Sequence, residues 1–392
     1  MEYRAIKEFC NVSSSKRIFA EQYVDEGIPF YRQKEIIEKG LHQTIEDPIY
    51  ITEETYNNIK AKFGAPQNGD LLITAVVVTL GIPYVVDDEV FYFKDGNLIW
   101  LSRFDNSVNS KYVYYWLSTS FGHDSIYMRA IGSAQPAITI DIVKKYKLFL
   151  PNRQTQDKIV DIMSGYDLAI ENNNKRIKIL EQMAENLYKE WFVRFRFPGH
   201  EDVEFENGIP KGWEVKRLNE VLSLLDSQRK PLSSMERDGM AQNYPYYGAA
   251  GQLGYVEDYI FDGTYLLLGE DGSVITEEGY PYLQYVWGKF WVNNHAHIIE
   301  KNGKFSVEFL YCLFKKMNIQ AIVTGVAQPK ISQGRLLSRK VIIPDDNTLL
   351  RFDELIQPIF LQIKKLTESN QNLIKQRDLL LPRLMSGKLQ VK

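Results

Sequence analysis

Two seven-residue stretches fix the layout of this chain. "GSAQPAI" (Gly132–Ile138) and "GVAQPKI" (Gly325–Ile331) share Gly-x-Ala-Gln-Pro-x-Ile and lie 193 positions apart in 392 residues. The offset persists beyond the septets, as a duplicated architecture requires. "LFLP" ends at Pro151 and "VIIP" at Pro344, again 193 apart. Each reads as a short apolar strand stopped by a proline.

A long helical pattern follows each proline. Tyr166, Ile170, Asn173, Ile177, Leu180, Ala184 and Leu187 alternate at spacings of four and three. Ile359, Ile363, Leu366, Asn370, Leu373, Arg377 and Leu380 are the same positions plus 193. A repeat of this kind over three heptads predicts a coiled-coil seam. The flanking residues are strongly polar, so so narrow a seam needs a partner helix. The simplest partner is the other copy, paired antiparallel, because whole domains lie between the two. Asn173 and Asn370 either fix register inside the seam or sit at a frayed edge. The first helix is expected from near Asn152 to near Phe192. The second is expected from near Asp346 to Leu381, where Pro382 kinks or ends it and Gly387 supplies a stop. About 40 residues at ~1.5 Å per residue span roughly 60 Å.

The remaining segments echo one another more loosely. "CNVSSSKR" ends at Arg17 and "LLDSQRK" at Lys230. "NGDLLIT" (Asn68–Thr74) resembles "DGTYLLLGEDG" (Asp262–Gly272), and "KYVYYWL" (Lys111–Leu117) resembles "EFLYCLF" (Glu308–Phe314). The expected fold is α+β: two α/β heads at 1–150 and 199–343, and two long antiparallel helices at 151–198 and 344–392, with an internal pseudo-two-fold repeat.

Composition and motifs narrow the function by exclusion. Residues 71–86, "LLITAVVVTLGIPYVV", are too short to span a bilayer and contain Gly81 and Pro83. They read as two buried strands around a turn, and a charged start without a signal segment predicts a cytoplasmic protein with no membrane role. Cys10 and Cys312 fall in different halves and read as buried free thiols. No segment is strongly basic: 16 Lys and Arg face 19 Asp and Glu in 1–150, and 15 face 18 in 199–343. Nucleic acid would have to be held through local patches or with a basic partner. "NYPYYG" (Asn243–Gly248) lacks the second proline of an adenine-methyltransferase tetrad, and no glycine fingerprint precedes it. No phosphate loop is present. Asp345 and Asp346 in "IIPDDN" fit helix capping better than catalysis. "NNHAH" puts His295 and His297 on one face of an expected strand. They read as a polar or structural pair rather than a metal site, since no third ligand is evident.

This order resembles that of the specificity subunit of a type I restriction–modification system, over essentially the whole chain. The resemblance is strongest in "GSAQPAITIDIVKKYKLFLPNRQTQDKIVDIM" (Gly132–Met163) and "LYKEWFVRF" (Leu187–Phe195). It extends to "NGIPKGWEVKRLNEV" (Asn207–Val221), "NGDLLIT" and "VNNHAHII". It implies two target-recognition domains, each reading half of a split, asymmetric double-stranded DNA site. It implies helices that set the spacing, no catalysis by this chain, and no cofactor or metal bound by it. Two modification (methyltransferase) subunits would carry S-adenosylmethionine, and restriction or translocase subunits can add to the complex. A specificity subunit of a related fused restriction–modification system would look nearly the same. A coiled-coil scaffold without DNA binding is the reading from another class. Two departures stand out: Gln156, usual after the proline, is matched by Leu349 in the second copy, and Ala137 is matched by Lys330.

Readout needs Arg, Lys, Asn, Gln, Ser or Thr at base edges. In the first head these are Ser14, Ser15, Lys16 and Arg17, then Tyr31, Arg32, Gln33 and Lys34. In the second the candidates are Ser227, Gln228, Arg229 and Lys230, then Tyr246, Tyr247, Glu270 and Asp271, where a carboxylate can accept from cytosine N4. Gln135, Gln328 and Lys330 in the septets are placed to bond across a joint or to DNA.

Overall fold

The computed structural model describes residues 2–40, 45, 47–76, 81–130, 137–272, 274–325 and 328–391. Its dominant elements are a helix at Arg153–Tyr188, prolonged by a π-helical turn at Lys189–Val193, and a helix at Asp346–Met385. The chain forms two compact units: residues 1–172 with 370–392, and residues 173–369. Each unit holds its own sheet core and a piece of both long helices.

The first unit has a four-stranded antiparallel sheet in the order Asn11–Ser13, Leu98–Ser102, Leu71–Thr74, Pro83–Val85. The second unit repeats that order with Leu222–Leu224, Ala296–Lys301, Phe261–Gly269 and Leu283–Val292, then adds Tyr244–Tyr247 and Gln252–Val256. Its central strands are longer, and the nine residues of Phe261–Gly269 carry both flanking ladders. A parallel pair recurs in both units: Phe30 opposite Tyr92 in the first, Tyr246 opposite Trp291 in the second. Each unit also has a two-stranded ladder that leads into a long helix, Glu2–Ala5 with Lys147–Leu150 and Glu214–Arg217 with Lys340–Ile343.

Both long helices begin with a side-chain cap. Asn152 Oδ1 accepts from the Thr155 amide at 2.9 Å, and Asp345 Oδ1 accepts from the Asn347 and Thr348 amides at 3.0 Å each. Asp345 is thus a cap. Every seam position named from the sequence is buried or half-buried, while positions such as Leu168, Ile179 and Leu379 are exposed. Asn370 is 7% exposed, so it lies within the packed seam and not at a frayed end.

The helices run antiparallel inside each unit. In the first, Met163 shares an apolar cluster with Leu381 and Leu384, and farther along the Asp167 carboxylate meets Arg377 at 2.9 Å. In the second, Tyr188 and Phe192 pack on Phe352, the latter pair with ring centroids 4.7 Å apart, while Ile177 and Leu180 join the cluster containing Ile363. Ala184 is fully buried, and its carbonyl lies 3.9 Å from Cys312 Sγ on the aromatic helix Val307–Lys315. A small residue there lets the aromatic helix approach.

The second long helix passes through Pro358 and Pro382 and ends at Met385, so of the two outcomes open at Pro382, a kink or an end, it is not the end. Leu381, Leu384 and Met385 are buried in the first unit's core, and that packing outweighs the backbone bond lost at Pro382. The stop is Gly387, at φ +72°, whose amide donates to the Leu384 carbonyl at 3.1 Å. Among the described residues, no helix is long and apolar enough to cross a membrane.

Candidate functional site

Both septets close on the same element of their unit. The Ile138 amide donates to the Ala75 carbonyl at 2.8 Å, just past the strand Leu71–Thr74. The Ile331 amide donates to the Glu270 carbonyl at 2.8 Å, just past Phe261–Gly269. Gly325, at φ +85°, opens the second septet, and a Cβ there would lie 2.4 Å from the Gln328 carbonyl oxygen. Only glycine fits that turn. Gln328 and Lys330 are exposed. Gln135, with residues 131–136, lies outside the described residues.

The strand register aligns the two reading loops. Val12 and Leu71 flank Leu101 as Leu224 and Leu266 flank Ile299. Counting on from Val12 and Leu224, Ser14 matches Asp226, Ser15 matches Ser227, Lys16 matches Gln228 and Arg17 matches Arg229.

The first loop is held by neutral hydrogen bonds and one surface ion pair. Ser14 Oγ donates to the Leu98 carbonyl at 2.8 Å, and the Lys16 amide donates to the Tyr92 hydroxyl at 2.9 Å. Ser15 is buried, while Lys16 is exposed with its ammonium 4.8 Å from the Phe63 ring centroid. Arg17 meets Asp95 at 3.0 Å with its side chain 67% exposed.

The segment Tyr31–Lys34 is more committed to structure than its sequence suggests. Tyr31 is buried and donates to Glu89 Oε1 at 2.5 Å; burial and that carboxylate push its hydroxyl well above the usual tyrosine range. Arg32 grips the buried Glu35 through its amide at 2.7 Å and its Nε at 2.9 Å. Burial pushes the Glu35 carboxyl up, but Arg32 outweighs it and holds it below its ordinary value. Gln33 Nε2 donates to the Val76 carbonyl at 2.9 Å, and the exposed Lys34 pairs with Glu38 at 3.5 Å. In the second unit Tyr246 is likewise buried, bonded to the Leu232 amide and carbonyl, and Tyr247 packs edge-on to Phe290.

The second loop is held by charge. Ser227, Gln228 and Lys230 are exposed, but the Arg229 side chain is 12% exposed and turns inward. Its Nη1 meets Glu270 Oε2 at 2.6 Å and the Ala296 carbonyl at 2.7 Å, and its Nε donates to the Asp226 carbonyl at 3.0 Å. Asp226 is buried; Oδ1 accepts from the Ile298 amide at 2.9 Å, and Oδ2 accepts from His297 Nδ1 and Gln333 Nε2 at 2.6 Å each. Burial pushes the Asp226 carboxyl up; the His297 ring, the Ile298 amide and Gln333 outweigh it and hold it below the usual carboxylate range. Asp271 pairs with His295. Lys330 reaches Glu270 Oε1 at 3.3 Å.

The two histidines therefore do not act as a pair. His297 is fully buried on its strand, and His295 lies in the turn before it, its side chain 47% exposed. Asp226, Glu270 and His297 offer ligand atoms within 4.8 Å of one another, the geometry of a cation site. Arg229 and Lys330 already occupy Glu270, and His297 Nε2 faces the Ile331 carbonyl at 2.9 Å. The group is an internally neutralised ion cluster. Arg229, Glu270 and Lys330, which the sequence offers as DNA-facing residues, meet one another here instead, joined by Asp226 and Gln333, neither of which stands out from a solvated polar residue until the strands are paired.

The departure at Gln156 also has a physical reason. Gln156 is 1% exposed, accepts from the Asn109 amide at 2.8 Å and donates to the Pro151 carbonyl at 2.8 Å. Asn109 begins the aromatic helix Ser110–Leu117 and bonds Asp157 at 2.6 Å. In the second unit Ser306 plays that capping part and bonds Asp353 at 2.6 Å, so no buried amide is required and Leu349 is simply buried.

The long helices carry a repeated surface feature. In the first unit a groove is lined by Ile162, Leu380 and Leu384 together with Lys158 and Asp161. In the second, Leu355, Leu187 and Trp191 line another, with Met183 and Glu190. Ile162, Leu380 and Leu384 are the 193-offset counterparts of Leu355, Leu187 and Trp191. Ile162 and Leu355 are 40% and 49% exposed.

Comparison with known proteins accords with this geometry. Residues 1–182 and 210–376 match the family described as type I restriction modification DNA specificity domain. The type I restriction enzyme MjaIX specificity subunit of Methanocaldococcus jannaschii is 28% identical over 310 residues, 73% of this chain and 70% of that protein. The MjaVIII specificity subunit of the same organism is 22% identical over 373 residues, 88% of this chain and 86% of the relative. The crystal structure of the type I restriction–modification S subunit from M. genitalium aligns with a TM-score of 0.61 at 17% identity, covering 98% of this chain and 95% of that one.

Proposed function

Because the chain belongs to the type I restriction–modification DNA specificity family, the non-catalytic specificity subunits of such complexes, we propose that its two units each read one half of a split, asymmetric double-stranded DNA site. The observation that carries this is the repeated sheet order with an exposed polar loop at the same register position in each unit, around Lys16 and Arg17 in one and Ser227, Gln228 and Lys230 in the other. A single-site binder has no need of two such loops on two cores. Gln is suited to adenine and Lys or Arg to guanine or phosphate. The long helices, continuous through both units, set the unread spacer.

The net charge of −3 leaves phosphate neutralisation to partners. Two modification subunits, carrying S-adenosylmethionine and the methyl-transfer chemistry, dock on the scaffold. The repeated apolar grooves support this: each is built by repeat-equivalent residues and presents one exposed aliphatic side chain, Ile162 or Leu355, as the contact of one partner used twice would. Restriction or translocase subunits then join that assembly.

The test is reconstitution with the modification subunits and S-adenosylmethionine, followed by long-read methylation mapping. The expected result is one split motif with unlike halves. Methylation without a motif, or no sequence-specific DNA binding under any condition, would leave the coiled-coil scaffold as the better reading.

A further inference from the structure

We infer that Arg229 and Glu270 are positioning residues: they form an ionic latch that ties the second reading loop to the second septet and sets how sharply the second half-site is discriminated. This rests on the reading above, that the loop meets DNA.

The loop Ser227–Lys230 is pinned at both ends by buried charge. Asp226, just before it, is fixed by His297, Ile298 and Gln333. Arg229, inside it, is fixed by Glu270 and by the carbonyls of Asp226, Ala296 and Asn294. Ser227 and Gln228 are left exposed between two bonded neighbours whose side chains are buried or nearly so. Glu270 is the hub: one oxygen holds Arg229 at 2.6 Å, the other meets Lys330 at 3.3 Å, and its carbonyl accepts the Ile331 amide at 2.8 Å. Gln333, two residues past Ile331, closes the circuit on Asp226. Glu270, at the exit of the central strand, is thereby tied both to the reading loop and to Lys330 and Ile331 at the end of the septet.

Among the described residues, the first unit holds no such buried ion cluster; Arg17 pairs with Asp95 at the surface. Ser14 stands in place of Asp226, Ile99 of His297, Ala75 of Glu270, Ala137 of Lys330 and Ile140 of Gln333. Arg17, the match of Arg229, lies mostly in solvent. A guanidinium and two carboxylates taken out of water are stable only while all are paired. Removing one member frees the loop without removing any of its exposed side chains. Arg229 thus contributes to readout by placing Gln228 and Lys230, and not by touching a base.

The experiment uses the full complex with modification subunits and S-adenosylmethionine. Methylation rates are measured on duplexes carrying single base changes in either half. Glu270→Gln keeps the shape and removes the charge; Lys330→Met removes the outer, half-exposed member and leaves the buried part intact. Glu270→Gln should lower the preference for the cognate bases of the second half by about tenfold, the discrimination of one base pair, with the first half unchanged. Lys330→Met should act in the same direction and less. Equal relaxation of both halves, or slower methylation with every base preference intact, would overturn the latch. A wild-type complex that methylates no split motif would instead fail the reading beneath it.

Discussion

Asp167 and Arg377 are joined at 2.9 Å, one from each long helix, and the second Asp167 oxygen accepts the Tyr115 hydroxyl at 2.5 Å. The carboxylate thereby ties the helix pair to the aromatic helix Ser110–Leu117 of the first unit. Both partners are about 30% exposed, between a surface pair and a buried one. Arg377→Ala should lower stability by about 1–2 kcal/mol, leaving a half-buried carboxylate without its cation. Urea unfolding would read this directly, and a loss below about 0.3 kcal/mol would assign the pair no more than surface weight.

Gln228 is the exposed residue best suited to a base edge in the second loop. Gln228→Ala should relax one position of the second half-site by about 1–3 kcal/mol and leave the first half untouched. Competition binding with base-substituted duplexes measures it. Uniform weakening across all sequences would make Gln228 a phosphate contact instead.

The two apolar grooves predict stoichiometry. Ile162→Asp and Leu355→Asp each place a charge on an exposed groove residue. Either should reduce a complex with two modification subunits to one with a single subunit, and the double variant should bind none. Native mass spectrometry counts the copies; two retained subunits in the double variant would place docking elsewhere.

Much of this architecture is legible in the sequence because the helix seam repeats at a fixed offset and burial enforces it. Ile363, Leu366 and Ala184 are buried where their spacing puts them. Local rules leave a kink or an end open at Pro382, and tertiary packing of Leu384 and Met385 carries the helix onward to the stop at Gly387. From sequence Arg229 is a basic residue in a polar loop, like Arg17, and only the non-local approach of Glu270, 41 positions away, turns it inward. Which of two similar loops is latched depends on pairing between distant strands, and no local pattern records that.

Helix length should show in the spacer. One additional helical turn in both long helices adds about 5.4 Å, close to one and a half base pairs at ~3.4 Å each. The methylated motif should then gain one or two unread bases between unchanged halves. An unchanged spacer would remove the helices from spacing control.

Acid should loosen the start of the second long helix. Partial burial pushes the Asp345 carboxyl up, but the bonds from Thr348, Asn347 and Trp213 outweigh it and hold it below its ordinary value. A carboxyl depressed in the folded state contributes stability above its unfolded value, about 3.9, and loses that contribution as pH falls through the folded one. Asp345→Ala should therefore cost about 1 kcal/mol at neutral pH and progressively less below about pH 4. Thermal melts from pH 3 to 7 test the sign; a cost that grows with acid would contradict it.

The second unit is one uninterrupted run of chain, whereas the first is completed only by residues 370–392. Leu381, Leu384 and Met385 from that last stretch fill the same core as Ile6, Leu71 and Tyr112. On the ribosome the usual order is therefore inverted. Residues 173–369 carry their core within one run of chain and can finish first, whereas residues 1–172 have part of their core unfilled until residues 370–392 are made.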